Sequence, residues 1–266
     1  MICALADIHS AGWDARLYGR FASERLQPVY ELLKMVGRLP GLRVLDCGCG
    51  TGEATALLHR ELQAASTLGI DNSPSMLEQA WPRAGDGLEF REGDFTELAA
   101  EAEYDLVFSN AALHWAEDQP AVLARWYGAL KPGGQLAVQL PANQPHVTQV
   151  VARELARREP YATAIAGRIA QPGALEAERY AEILHGLGAT GIHVRLQVFL
   201  HELQDTLAAA DWVQGSLLTG YRRLLVDDLY ASFECDYRGL LLERAGQHAP
   251  YLLAYRRILM HAVKPG

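Results

Sequence analysis

Short apolar runs alternate with amphipathic stretches through the middle of the chain. Residues 43–46, 67–71, 88–91, 104–109 and 135–140 are each too short for helices and are bounded by glycine, proline or acidic residues, so they predict strands. Between them lie helical patterns. Residues 53–63 carry Ala56, Leu57, Leu58 and Leu62 at helical spacing. Ser73 is a candidate N-cap with Pro74 at the first helical position, followed by Met76, Leu77 and Ala80. Residues 120–130 predict a helix ended by Lys131-Pro132-Gly133-Gly134. Strand and helix in alternation predict an α/β fold with a doubly wound, mostly parallel sheet over about residues 40–140.

The rhythm differs at both ends. Upstream, Trp13, Leu17, Phe21, Leu26, Val29, Leu32, Leu33 and Val36 predict helix, interrupted near Pro28. After Pro141, residues 147–158 and 174–187 read as helices and 192–200 as a strand. Residues 211–244 read as largely helical, and 255–263 as a last strand. No linker rich in proline, glycine and serine separates these parts. The expectation is one integrated domain over residues 1–266, with a core at 40–140, an N-terminal lid at 1–36, and helical cap elements at 145–187 and 205–250.

Composition narrows the classes. Half of the 266 residues are apolar, 21% are charged, and the net charge is -8. That balance fits a globular chain and argues against broad electrostatic binding to nucleic acid or anionic membranes. No apolar run approaches the roughly 18 residues that span a bilayer. Met1 to Ser10 has no basic start and carries Asp7, unlike a secretory signal. Of the four cysteines, Cys47 and Cys49 are one residue apart in a glycine-rich loop, a spacing of neither a disulfide framework nor a C-x-x-C pair. A zinc site needs about four ligands, and no His or Cys partner lies near in sequence. The expectation is a cytoplasmic protein with a small-molecule partner and no metal.

The strongest local signal is Asp46-Cys47-Gly48-Cys49-Gly50-Thr51-Gly52, directly after the first predicted strand. Glycines at a strand-to-helix turn let the backbone bend sharply and a ligand approach closely. The glycines stand at 48, 50 and 52, which is not the dinucleotide spacing, and Glu53 would repel a pyrophosphate. No Gly-Lys-Ser/Thr follows, so a Walker loop is absent. Asp71, ending the second strand, suits the two hydroxyls of a ribose. Asp94-Phe95 after the third strand suits an adenine, with a carboxylate for its amine and an apolar side chain for its ring. Asn110 follows the fourth strand at the same sheet edge.

These residues, together with Ser73-Pro74-Ser75-Met76-Leu77 and Leu130-Lys131-Pro132-Gly133-Gly134, resemble the class I S-adenosylmethionine-dependent methyltransferases. The resemblance implies a Rossmann-like seven-stranded sheet whose last strand, about 256–263, is antiparallel. It implies that Asp46, Gly48, Cys49, Gly50 and Gly52 hold the methionine part of S-adenosylmethionine, Asp71 the ribose, and Asp94 with Phe95 the adenine. Asn72, Met76 and Asn110 complete the expected cofactor set, and S-adenosylhomocysteine is the expected product.

A narrower resemblance, to the trans-aconitate 2-methyltransferases, covers four stretches. They are Trp13 to Phe21, Ser109 to Trp115, Ala137 to Asn143, and Asp211-Trp212-Val213-Gln214-Gly215. His114 stands where that group usually has Gln, and the stretch from Ser216 to Arg222 departs from the group's pattern. The resemblance implies O-methylation of a carboxylate. A carboxylate acceptor is already ionised and needs no base, whereas a phenol or alcohol would, and His114 is the candidate catalytic base. Tyr18, Arg20, Arg25, Trp115, Tyr221 and Arg222 are the candidate acceptor-binding residues, the arginines because they pair bidentately with carboxylates. The alternatives are a phenol or alcohol acceptor, a carrier-bound acyl carboxylate, and a cofactor-binding module without turnover.

Overall fold

The computed structural model describes residues 22–37, 40–168 and 173–266. Most of the expected N-terminal lid, including Tyr18 and Arg20, lies outside the described residues. The chain gathers into two compact units. One comprises Arg25–Ala142, Pro172–Val198 and Arg256–Gly266; the other takes in residues 143–168 and Phe199–Tyr255.

The first described helix, α1 (Ala22–Leu33), runs through Pro28 rather than stopping there. Proline removes one backbone bond from the helix, but Val29, Leu32 and Leu33 are buried on one face and hold it in place. Then the alternation expected from sequence unfolds: β1 (Arg43–Cys47), α2 (Glu53–Leu62), β2 (Ser66–Asp71), α3 (Pro74–Ala80), β3 (Leu88–Glu92), β4 (Tyr104–Asn110), α4 (Gln119–Gly128) and β5 (Leu130–Pro141). Past the second unit's first helices, α5 (Val147–Leu155) and α6 (Tyr161–Ile165), come α7 (Ala177–Gly186) and β6 (Thr190–Leu203). The chain ends with α8 (Thr206–Gln214), α9 (Leu217–Arg222), α10 (Asp227–Ala245) and β7 (Tyr251–Val263).

The strands form one seven-stranded sheet in the order β3-β2-β1-β4-β5-β7-β6. β3, β2, β1, β4 and β5 run parallel, and β7 lies antiparallel to β5, as the family resemblance implies. β1 is the strand from which the chain winds outward in both directions. Its neighbours are β2 and β4, so the carboxyl end of β1 is a topological switch point, where open α/β sheets bind ligands. After its first residue β1 is buried throughout. That is why its apolar residues are continuous rather than alternating.

One core cluster lies in the first unit, including Leu45, Leu123, Trp126, Val138, Tyr180 and Met260. Trp126 is fully buried, donates its indole N–H to the Phe95 carbonyl at 3.0 Å, and meets the Phe95 ring edge-on at 5.7 Å. The second unit has its own core, with Leu155, Leu218, Tyr221, Phe233 and Tyr237 among its members. There the Tyr237 hydroxyl donates to the Thr148 carbonyl at 3.1 Å, tying α10 to α5.

Three boundaries differ from the sequence expectation. Lys131-Pro132-Gly133-Gly134 is part of β5, not a turn before it. Gly133 N–H donates to the Lys264 carbonyl and Lys264 N–H donates to that of Gly134, so residues beyond β7 supply pairing that local sequence cannot show. The helical stretch 211–244 is three helices, starting earlier at Thr206 and broken around Gly215 and again between Arg223 and Val226. β6 and β7 are both longer than expected. Among the described residues no helix is long and apolar enough to cross a membrane.

Trp126 fills the space between α4 and the turn at Phe95. Replacing it (Trp126→Ala) is expected to cost about 3–5 kcal/mol by the cavity left behind, measured by chemical denaturation with two-state fitting.

Candidate active site

The turn after β1 is shaped by backbone hydrogen bonds and left-handed glycines. Gly48 N–H and Cys49 N–H both donate to the Ile70 carbonyl, at 2.8 and 3.0 Å, which pins the turn to β2. Gly48 and Gly52 have φ of +78° and +74°, where side chains are disfavoured. A Cβ on Gly48 would lie 2.2 Å from that of Ala112, so nothing larger than glycine fits.

Asp71 joins the β1 and β2 turns. Its carboxylate accepts from Gly50 N–H at 2.8 Å through one oxygen and from Ser73 N–H at 2.9 Å through the other. Ser73 is the N-cap of α3 with Pro74 next, as the sequence predicts. Asn72 is exposed and Met76 half-buried beside it.

Asp46 is buried at 1% exposure. Oδ2 accepts from the Thr55 hydroxyl at 2.6 Å, and Oδ1 has no partner among the described residues. Burial pushes the carboxyl up to about 7; the nearby Asp71 charge adds to that, and the Thr55 hydrogen bond opposes it. An unsatisfied buried carboxylate oxygen calls for a cationic or hydroxyl donor. With Asp71 next to it and Glu53 opening α2, the turn repels a pyrophosphate and favours a group bearing positive charge. These residues fit the methionine end and ribose of S-adenosylmethionine. The thiols of Cys47 and Cys49 are pushed up by burial and stay protonated.

Asp94 is exposed and opens a short turn, Phe95–Glu97, by accepting from Thr96 N–H at 2.8 Å and the Thr96 hydroxyl at 2.7 Å. Phe95 is buried against Trp126 and backs the glycine turn, 3.7 Å from where a Gly48 Cβ would stand.

Asn110 ends β4 in register with Gln139 of β5, and its Oδ1 is buried with no partner among the described residues. The next residue, Ala111, takes φ of +57°, a conformation that costs a non-glycine residue about 1 kcal/mol or more. Its N–H donates to the Gln139 carbonyl at 2.8 Å, which holds the bend. The bend delivers the short turn Leu113–Trp115. His114 is buried, with Nδ1 lacking a partner among the described residues. Burial, and then the charge of Arg257, push its pKa down to about 3. The ring is therefore neutral at physiological pH and gains little by taking up a proton, so its electrostatics oppose the base role expected from sequence. The half-buried Trp115 ring sits 5.2 Å from the His114 ring.

Arg25 lies in α1. Tyr221 and Arg222 belong to the helical unit. Tyr221 is buried and stacked on Phe233, with centroids 4.9 Å apart. Arg222 pairs with Asp227 at 2.9 Å and lies over the Tyr230 ring.

Three polar residues were given no place in the cofactor or acceptor set from sequence. Thr55 caps Asp46. Gln139 and Arg257 are buried in β5 and β7, where the Arg257 Nη1 donates to Gln139 Oε1 at 3.2 Å. The signal for the last two was present: a glutamine and an arginine inside otherwise apolar strand patterns.

Comparison with known proteins identifies the family. The family profile described as a methyltransferase domain matches residues 44–134. The chain is 36% identical over 261 residues to a trans-aconitate 2-methyltransferase of Deinococcus radiodurans, covering 95% of this chain and 98% of the relative. It is 34% identical over 254 residues to one of Mycobacterium tuberculosis, covering 94% and 96%. Among solved structures, a Haemonchus contortus phosphoethanolamine N-methyltransferase in complex with S-adenosyl-L-methionine matches with a TM-score of 0.57 at 21% identity. That match covers 90% of this chain and 52% of the other and is a likeness of fold.

Asp46 makes stability depend on pH. Its folded pKa lies above its unfolded value, so the folded state binds the proton more tightly, and the carboxyl's contribution falls as pH rises from about 4 to about 7. Asp46→Asn keeps an acceptor for Thr55 and removes this loss. Thermal melting of the ligand-free protein should show the variant gaining on the wild type between pH 5 and pH 8.

Proposed function

The chain belongs to the trans-aconitate 2-methyltransferase-like group of S-adenosylmethionine-dependent methyltransferases, and on that premise we propose that it esterifies a carboxylate of a small polycarboxylic acid such as trans-aconitate. The observation that carries this reading is the extent of the likeness. Identity of 36% runs over 95% of the chain, far beyond the cofactor half at residues 44–134. The matched remainder is chain available for choosing the acceptor.

When bound, S-adenosylmethionine supplies a methyl group on a good leaving group, the sulfonium. Asp46 Oδ1, which has no partner among the described residues, would accept from the ammonium of its methionine part, and the Gly48–Gly52 turn would hold that part. Asp71 would take the ribose hydroxyls on the lone pairs left by Gly50 and Ser73. Asp94 would accept from the adenine amine, Asn72, Met76 and Asn110 would complete the set, and Phe95 supports the turn from behind.

An acceptor carboxylate is ionised at neutral pH and attacks without a base. A histidine whose pKa lies near 3 is then no obstacle, whereas a phenol or alcohol acceptor would need a stronger base. The work left to the protein is alignment of the carboxylate oxygen in line with the methyl group and exclusion of water. Trp115, whose ring stands beside that of His114, would line the acceptor's apolar part.

The test is a methyl-transfer screen with mass detection, offering S-adenosylmethionine with polycarboxylates, phenols and acyl carriers. The expected product is a monomethyl ester of a polycarboxylate, recognised by its lability to mild base. Transfer to a phenol or carrier instead would overturn the acceptor assignment, and tight cofactor binding with no transfer to any acceptor would point to a binding module. A pH profile checks the cofactor half separately. Because the ammonium needs an ionised Asp46, kcat/KM for S-adenosylmethionine should fall as pH drops below about 7, and Asp46→Asn should flatten that limb.

A further inference from the structure

A buried chain of polar contacts lies beside the turn that follows Ala111. That turn, Leu113–Trp115, is held within itself by two bonds. Trp115 N–H donates to the Ala112 carbonyl and Ala116 N–H to that of Leu113, both at 3.0 Å. A single helical turn is unstable alone, because so few bonds must offset the ordering of several residues. It is tied from outside at His114, whose carbonyl accepts from Gly173 N–H at 3.2 Å. Gly173 stands in the segment leading into α7, in the same compact unit as the turn.

Gln119, the buried first residue of α4, holds Gly173 in turn. Its Nε2 donates to the Gly173 carbonyl at 2.6 Å and, more weakly, to that of Ala116 at 3.5 Å. Its Oε1 accepts from the hydroxyl of Tyr180, a residue of α7 with no exposed surface. Burial pushes the Tyr180 hydroxyl up to about 12, so it keeps its proton and donates it. The same hydroxyl accepts from Leu175 N–H at 3.0 Å. Carbonyls only accept, so the orientation of the Gln119 amide is set by its partners. Each polar atom of the Gln119 side chain and the Tyr180 hydroxyl is satisfied, and a buried network in that state specifies one arrangement.

We infer that Gln119 and Tyr180 are positioning residues for acceptor binding: they fix Gly173, Gly173 fixes His114, and the turn then presents Trp115 in one conformation. The inference rests on the acceptor role proposed above for Trp115. Neither Gln119 nor Tyr180 touches substrate. Without them the turn populates other conformations, and the apparent acceptor affinity falls with the fraction of molecules still competent to bind. The complex, once formed, is the same one, so the chemical step keeps its rate. The glycine turn and Asp71 are held by bonds of their own, so cofactor binding is left alone.

Steady-state kinetics on the full chain test this, with trans-aconitate as the acceptor. Tyr180→Phe keeps the ring and removes the hydroxyl, which strands Leu175 N–H and Gln119 Oε1. It should raise KM for trans-aconitate about tenfold, the effect of one buried hydrogen bond, with kcat and KM for S-adenosylmethionine within about twofold. Gln119→Met, close in volume, should act in the same direction; if it fails to fold, Tyr180→Phe decides the matter. The double variant should be little worse than Gln119→Met alone, because both changes break one network. Hydrogen exchange in peptides spanning 109–116 and 173–180 should quicken in each variant, and exchange at 46–52 should not.

Unchanged exchange at 109–116 in the folded variants overturns the network's hold on the turn. Faster exchange with an unchanged acceptor KM overturns the positioning role and leaves the acceptor class standing. A KM for S-adenosylmethionine that rises as far as the acceptor's marks a general loosening and also overturns it. A wild type that methylates a phenol and no carboxylate refutes the acceptor class, and the same KM comparison on that phenol then decides the positioning role. A wild type that methylates nothing overturns both.

Discussion

The site hangs on one constraint: the chain leaving β1 must reverse within a few residues while touching β2. Two successive N–H groups, of Gly48 and Cys49, share the Ile70 carbonyl, and a Cβ at Gly48 would collide with Ala112. The turn can only close with glycine there. Once closed, it fixes the ends of three strands at once. Asp71 is drawn in by Gly50 N–H, and Ala112, directly after the strained Ala111, packs against the turn from β4's side. The ligand-facing groups are thus positioned by backbone geometry, and a rigid backbone positions polar groups with less entropy lost on binding than free side chains would.

Asp46 shows what this rigidity costs. A carboxyl group at 1% exposure, with one oxygen unsatisfied, is destabilising in the ligand-free protein. Such a group persists where a ligand completes it. Thr55 satisfies one oxygen, and α2 carries it there because residues 46 and 55 are joined by the turn itself. The same burial that penalises the ionised acid strengthens its attraction for a cation once bound, since water is excluded from between them.

The cofactor half was legible in sequence because its determinants are local. Gly48, Gly50 and Gly52 follow a strand, Ser73-Pro74 starts a helix, and Asp71 and Asp94 fall at strand ends; each is set by its neighbours in the chain. The antiparallel last strand came from the family resemblance. What sequence reading missed depends on distant pairing. Gln139 and Arg257 meet only because β5 and β7 are in register, 118 residues apart in the chain. The Lys131-Pro132-Gly133-Gly134 run reads as a turn, but bonds to Lys264 draw it into β5. His114 reads as a base from its residue type, and only burial reveals that it stays neutral.

The same distance dependence bears on the net charge of -8. Taken as a bulk property, it would repel an anionic acceptor. Bulk charge acts through solvent, where exposed charges more than about 10 Å apart are largely screened. A guanidinium at 6% exposure on the same sheet face as Asp46 acts through protein, at lower effective dielectric, where one cation outweighs many remote surface acids. The parallel order β2-β1-β4-β5 and the reversal at β7 set the acids and the cation at opposite ends of one edge. The two neutral amides of Asn110 and Gln139 stand between them. The end of the edge at β1 and β2 therefore keeps a field that favours a cation, since burial and then the charge of Asp71 both push the Asp46 carboxyl up.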